Sequence, residues 1–427
     1  MEPVGLIKSR KAFGVWTAIR GYEGLLGRLG ALEGAILDDG TPAGYRLDAT
    51  VVAVPYDFRL SIVDAAQRLH DQISQRLAHL WPDDDPKTAR VVVIAHSMGG
   101  LVARYWLGQE SNWERCRALI TLGSPHRGAP KALDVLANGI AFGPFRITRP
   151  VKVLREWPSM AELLPRYPAV LDTTMQPSGH REALLRPHEL PLEFADAARA
   201  AFAVHEEIEA GWDKIPLRGP QMVPRIGYGH GTLRSCAWDG CRVRVSKGEP
   251  AGVGLGKWST DLGDGTVPAY SGLPLEMDRH SPTGLRVQLR HGAIADLDEV
   301  VALVESYEGR PCDLPIRGEE RPVVLGFDVE ELQQAGEGIE ISATIAGVDA
   351  DVGHVSVWAC VSGAGAQPAV VEEARLEWDS VTATFGGWLV ARPPGIYRVR
   401  LSAEEVPGGA DLITEEIVEV LDGADVD

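Results

Sequence analysis

The chain has 427 residues, enough for two or three domains with substantial cores, and its 45% apolar and 24% charged residues exclude a mainly disordered protein. The net charge of −18 is unevenly placed: residues 319–427 hold 22 acidic side chains against five Arg and no Lys, so that quarter repels phosphate backbones and no nucleic-acid partner is expected. No run approaches the roughly 18 apolar residues of a membrane span. Residues 1–20 scatter Lys8, Arg10, Lys11 and Arg20 where a secretory signal needs an apolar stretch, and the five cysteines are few and odd in number. A soluble, cytoplasmic protein with free thiols is expected, Cys236 and Cys241 being the one pair close enough in sequence to bridge.

In chain order, residues 50–55 (TVVAVP) predict a first strand and residues 62–80 a helix, with Val63, Ala66, Leu69, Ile73 and Leu77 three or four apart. Residues 90–95 (RVVVIA) are too uniformly apolar for a half-exposed strand and predict a central one. A helix over 98–107 and a strand over 118–122 (ALITL) continue a βαβ progression. From about 130 to 220 the strand signal fades and prolines alternate with apolar and aromatic residues, the texture of an insertion closed by a helix over 192–212. Strands are predicted again at 222–227 and 285–289, followed by a helix near 295–307. Beyond about 318 short β-prone strings alternate with Gly and Pro (323–327, 339–345, 355–360, 383–390, 396–401, 413–420), predicting a small antiparallel sandwich of immunoglobulin-like kind. The expected division is therefore 1–317 and 318–427.

The strongest chemical signal is Ala95-His96-Ser97-Met98-Gly99-Gly100 between a predicted strand and helix. A serine on so sharp a turn takes a strained backbone, and small residues two positions to either side, here Ala95 and Gly99, avoid clashes. The turn exposes the Ser97 hydroxyl and lets the Met98 N–H face a developing oxyanion. A Gly-rich turn opening a helix is the plain alternative. A serine hydroxyl is a poor nucleophile at neutral pH, so a base and an orienting carboxylate should follow. Asp264, in the glycine-flanked Gly263-Asp264-Gly265-Thr266-Val267-Pro268, and His291, directly after a strand, supply them in the order Ser, Asp, His. Asp261 and His280 are rivals that follow no predicted strand end so closely, and each chosen residue could instead serve its loop alone.

Four stretches, residues 55–59 (PYDFR), 95–100 (AHSMGG), 122–128 (LGSPHRG) and 263–268 (GDGTVP), with a fifth at 157–165, resemble the lecithin:cholesterol acyltransferase-like group of α/β-hydrolases. The resemblance implies an α/β-hydrolase fold with a cap, or lid, insertion at about 130–220. It also implies Ser97 as nucleophile, Asp264 as orienting acid and His291 as general base. Phe58 stands where the family usually has Trp. Asp57 and Arg59 look like a structural charge pair, and His126 like a loop-ordering residue. The Gly-rich 227–231 around His230 loosely suggests nucleotide binding but lacks the spacing.

One departure concerns the start. The family usually opens with a strand and Pro-Gly turn supplying the second oxyanion donor, and Pro3-Val4-Gly5 is a poor remnant, so that donor is unassigned. The strands at 50–55 and 90–95 should then pair directly, or an unexpected segment should intervene. In the insertion, Trp157, Met160, Leu163 and Leu164 would offer apolar surface to an acyl chain. The expected function is a lipid-directed serine acyl hydrolase or O-acyltransferase without metal or cofactor. The alternative is a lipase-like binding module whose acidic β-domain docks a protein partner. The lid could also make transient contact with a membrane surface.

Overall fold

The structure is a computed structural model, and it describes residues 22–82, 90–142, 145–174, 183–250, 262–277, 285–307, 323–346, 348, 352–363, 370–407 and 411–422. It is a mixed α/β protein.

Four strands form an all-parallel sheet in the order Leu285–Val287, Gln221–Gly227, Cys116–Leu122, Val91–His96. Cys116–Leu122 is buried along its length except at Arg117, as a strand covered on both faces must be. Its side chains alternate between two cores: Leu119 joins a cluster with Ile62, Ala66, Leu101 and Trp106, whereas Ile120 and Leu122 join Leu25, Leu29, Ile294 and Val300 on the opposite face. Helices Ile62–Leu80 and Gly99–Gly108 thus cover one face, and Glu23–Gly30 and Glu299–Tyr307 the other.

Two expectations are corrected here. Val91–His96, read as central, is the edge of this sheet among the described residues, and its first four residues are only half-buried. The predicted strand at 50–55 shortens to Val51–Val52, which pairs in parallel with Leu37–Asp38 and not with Val91–His96. Direct pairing of the two is therefore ruled out within the described residues. An intervening segment from positions 1–21 lies outside them. On the helix Ile62–Leu80 the fully buried apolar residues are Ile62, Ala65 and Ala66, shifted from the predicted Val63, and Arg76 is buried because it pairs with Asp38. Ser61 caps this helix through the Val63 N–H, and the buried Glu162 carboxylate accepts from the Ser61 hydroxyl (2.6 Å) and the Ile62 N–H (2.7 Å).

The region expected to lack strands does not. Val170–Asp172 and Ala183–Leu185 combine with Ser235–Trp238 and Val243–Ser246 into a four-stranded sheet, so this layer recruits chain beyond position 220. Strands of three or four residues carry too few positions to show a period of two. Around them lie helices Pro130–Asn138, Val151–Arg155, Pro158–Glu162 and Ala195–Trp212 and the hairpin Ile140–Phe142/Phe145–Ile147.

The C-terminal part has two sheets sharing one core. One orders Val324–Asp328, Ile339–Ala346, Thr384–Leu389 and Glu377–Asp379. The other orders Leu332–Gln334, Leu412–Leu421, Gly395–Glu404, Ser356–Gly363 and Val370–Arg375. Alternation is clean: Val399, Leu401 and Ala403 point inward while Arg398, Arg400 and Ser402 lie between them. All pairs are antiparallel except Leu332–Gln334 with Leu412–Leu421. The expected boundary near 317 lies outside the described residues. No described helix is long and apolar enough to cross a membrane, and Cys116, Cys236, Cys241 and Cys360 are free thiols.

Candidate active site

The parallel sheet ends in register, with His96 opposite Leu122 and Leu122 opposite Arg225, so the residues that follow these strands gather along one edge. Ser97 follows the first strand at φ 52°, a left-handed conformation costly for a residue with a Cβ. Its N–H is held by Leu122 O at 2.9 Å, and the helix Gly99–Gly108 leaves immediately after Met98. The tight packing position differs from the expected one. A Cβ at Gly99 would meet Ala95 Cβ at an ordinary 3.7 Å, whereas one at Gly100 would sit 2.1 Å from Ser124 Oγ. No described acceptor takes the Met98 N–H.

Ser97 Oγ lies 2.9 Å from His291 Nε2, and His291 Nδ1 lies 2.8 Å from Asp264 Oδ2. The three are 194 and 27 residues apart in sequence. Asp264 and His291 are buried and Ser97 is half-exposed. The other carboxylate oxygen of Asp264 accepts the N–H groups of Thr266 (2.9 Å) and Val267 (2.6 Å). Burial alone would raise the Asp264 pKa, but His291 and these two N–H groups outweigh it and hold the carboxyl below its ordinary value. It is therefore an anion facing Nδ1, which requires Nδ1 to carry hydrogen and leaves Nε2 to accept from the serine hydroxyl. Gly123 lies behind the pair at φ 56°, where a Cβ would come within 3.0 Å of Asp264 Oδ2 and 3.2 Å of His291 Nδ1.

His96 is a participant that the sequence reading passed over. It is buried, its ring is 4.9 Å from that of His291, and its Nε2 lies 2.9 Å from His291 O. Burial, reinforced by His291, pushes its pKa down to about 3, so the ring is neutral. A carbonyl only accepts, so Nε2 carries the hydrogen, and Nδ1 accepts from the Tyr22 hydroxyl at 3.0 Å. Nothing in the sequence flags this, because the partners lie 195 and 74 positions away.

A cleft of about 40 Å³ opens onto the pair, lined by Ser97 and His291 together with Pro125, Ala129, Lys131, Ala132, Val135, Met160, Leu163, Thr266 and Val267. That volume holds roughly three waters. Of the four residues expected to face an acyl chain, Met160 and Leu163 line this cleft. Trp157 and Leu164 do not line it. Trp157 precedes the short helix Pro158–Glu162 with extended backbone and packs edge-to-face on Phe58, 5.7 Å between centroids. Leu164 turns to the other side, facing Pro187, Phe202 and His205. The lining from Ala129 to Val135, on and just before the helix Pro130–Asn138, was missed because those residues look like an ordinary amphipathic helix.

Asp57 and Arg59 form a bidentate pair (2.8 Å and 2.6 Å). His126 is buried against Thr121. His230 bonds the acid loop, its N–H reaching Gly263 O at 2.9 Å. The rivals Asp261 and His280 lie outside the described residues. Among the described residues no group of three or more His, Cys, Asp or Glu could hold a metal ion.

The sequence profile of the lecithin:cholesterol acyltransferase family matches residues 34–209, a span that includes Ser97 but stops short of Asp264 and His291. Phosphatidylcholine-sterol acyltransferase of Gallus gallus is 36% identical over 99 residues, 22% of this chain and 23% of that protein. The lecithin-cholesterol acyltransferase-like 4 protein of Arabidopsis thaliana is 32% identical over 108 residues, 23% of this chain and 18% of that protein. The chain thus aligns with about a quarter or less of the length of these curated relatives. Among solved structures, the Bacillus licheniformis lipase BlEst2 is similar across 84% of both chains at 11% identity and a TM-score of 0.32, too distant to argue from. Over residues 34–209, this chain is similar to the lecithin:cholesterol acyltransferase family.

Proposed function

We propose that this protein is a lipid-directed serine acyl hydrolase or O-acyltransferase working through an acyl-serine intermediate. On this reading the fold is that of an α/β-hydrolase over 1–317, with a cap over the site, followed by an immunoglobulin-like sandwich over 318–427. The observation that carries it is the unbroken hydrogen-bonded chain from Ser97 Oγ through His291 to an ionised Asp264.

Ser97 Oγ attacks the ester carbonyl carbon while its proton passes to His291 Nε2. The imidazolium so formed is stabilised by the Asp264 carboxylate on Nδ1. The carbonyl oxygen becomes an oxyanion facing the Met98 N–H, one of the two donors such a hole needs. Collapse expels the alcohol, which takes the proton from Nε2 and leaves the acyl group on Ser97. Water or a lipid alcohol, deprotonated in turn by His291, then attacks the acyl carbon, and the Ser97 oxygen leaves and takes that proton back from Nε2. The cleft beside Ser97 is mainly apolar, with Met160, Leu163, Ala132 and Val135 in its walls, which suits an acyl chain. At about 40 Å³ the cleft is small beside a long acyl chain, and Met160 and Leu163 stand in its wall.

The test compares initial rates of the wild type and Ser97→Ala on p-nitrophenyl esters of rising acyl length and on phosphatidylcholine vesicles. Ser97→Ala should lose at least about 1,000-fold in turnover while keeping its fold. Equal rates would remove Ser97 from the chemistry and overturn the proposal.

A further inference from the structure

We infer that the C-terminal pair of sheets is a working part of this active centre: the backbone of Phe327 and the carboxylates of Glu331 and Glu416 position the two loops that carry Asp264 and His291, acting through His230 and Arg290. The inference rests on the acyl-serine reading above.

Phe327, in the strand Val324–Asp328, touches both loops with one peptide unit on each side. Its N–H donates to His230 Nδ1 at 3.3 Å, and its C=O accepts from Arg290 Nη1 at 2.9 Å. His230 is fully buried and holds the acid loop: its own N–H bonds Gly263 O at 2.9 Å, next to Asp264. Its C=O accepts from the Thr232 hydroxyl (2.8 Å), whose oxygen accepts the Gly265 N–H (2.9 Å). The floor beneath Gly263-Asp264-Gly265 is therefore pinned on one side by the acid loop and on the other by the C-terminal sheet. Burial pushes the His230 pKa down to about 3, in keeping with a neutral ring that accepts from Phe327.

Arg290 immediately precedes His291 and is 5% exposed, a charge that must find partners where it lies. It finds them in the C-terminal sheets: an ion pair with Glu416, a second contact with Glu331 at 3.7 Å, and the Phe327 ring, 5.5 Å from the guanidinium carbon. Glu416 is itself 7% exposed and lies on the same inward face of its strand as Val418 and Val420, where an apolar residue is the rule. A carboxylate there is costly unless a cation meets it, and the cation comes from the residue beside the base. Fixing the Arg290 side chain fixes the backbone entering His291, whose N–H bonds Asp264 O (2.9 Å) and whose C=O is held by His96. Lys131, in the cleft wall, adds a further strand to this web, reaching Glu331 at 3.7 Å and Thr266 at 3.4 Å. The acidity concentrated in the C-terminal quarter thus has a counterpart in two cations at the active centre.

The test uses the full chain in three forms: wild type, Glu416→Gln, and the paired replacement R290M/E416L, with kcat, KM, the rate of Ser97 modification by a fluorophosphonate, and the melting temperature measured for each. Glu416→Gln should lower kcat about tenfold or more with KM within about twofold, and slow Ser97 modification by the same factor, because a loosened loop misplaces the base without altering the acyl site. R290M/E416L replaces the buried pair by apolar side chains and should melt close to the wild type, yet stay as slow as the single variant. Wild-type kcat in either variant, or a loss that disappears on correction for folded fraction, would overturn the inference. A wild type that fails to label at Ser97 would instead bring down the acyl-serine reading itself, before any variant is compared.

Discussion

His96 donates from Nε2 to the backbone carbonyl of His291 at 2.9 Å, so the residue just before the nucleophile holds the main chain of the base. Strand end and histidine loop are joined by this bond at the point where Ser97 and His291 must meet. Replacing His96 by Leu leaves that buried carbonyl unpaired, at a cost of about 1–3 kcal/mol. The expected outcome is a folded, less stable protein with kcat reduced about tenfold or more. Urea titration and steady-state kinetics on one ester measure both effects, and unchanged kcat would assign His96 to stability alone.

Asp264 is ionised and paired on Nδ1 of His291, which selects the tautomer able to accept from Ser97. Asp264→Asn keeps the shape and lets the ring turn over to the wrong tautomer. Turnover should fall by roughly 1,000- to 10,000-fold with KM little changed. A loss under tenfold would mean that the carboxylate does not set the tautomer.

Gly123→Ala probes the same pair from behind. The added methyl would press on Asp264 Oδ2 and His291 Nδ1, and the backbone at φ 56° disfavours any side chain. The expected result is a stability loss of about 1–3 kcal/mol and a fall in kcat of about 100-fold, read by denaturation and ester hydrolysis.

Acid should destabilise the fold through buried imidazoles. Burial lowers the pKa of His96 and His230 to about 3 and of His205 to about 4, from 6.5. The native state then binds fewer protons than the unfolded chain once the pH is below about 6.5. Stability is full above that value and declines as pH falls toward about 4 and then 3. Between pH 6.5 and 5.5 the loss should be on the order of 1 kcal/mol for each ring. Urea midpoints across this range check the slope, and a midpoint independent of pH would contradict it.

The cleft predicts selectivity by acyl length. Ala132→Leu adds bulk to its wall beside Met160 and Leu163. Long-chain ester turnover should fall about tenfold or more relative to acetyl esters, with Ser97 still reactive. Trp157→Ala, by contrast, removes packing on Phe58 and should reduce stability by about 3 kcal/mol without changing the ratio of long- to short-chain rates.

Much of this was legible in the sequence wherever the signal was local. The strand Val91–His96, the turn at Ser97 and the helix Gly99–Gly108 follow from an apolar run, a small-residue turn and a helical pattern within eighteen positions. The loop of Asp264 was legible through its glycines and that of His291 through its place after a strand, and His291 lies within hydrogen-bonding distance of both Asp264 and Ser97. The sheet that joins Val170–Asp172 to Ser235–Trp238 was not legible, since three-residue strands have no period and their partners are 66 positions away at the first paired residues. The ion pairs of Arg290 were not legible, because Glu331 and Glu416 belong to a part of the sequence read as a separate unit. The packing of Trp157 on Phe58 was not legible either, because composition shows that a residue is apolar and not which way a helix start turns it.

The most direct test of the central claim is to treat the wild-type protein with a fluorophosphonate and map the adduct by peptide mass spectrometry. The account predicts a single modification, on Ser97, abolished by prior denaturation and strongly slowed in Asp264→Asn. Modification elsewhere, or none at all on a folded protein, would contradict it.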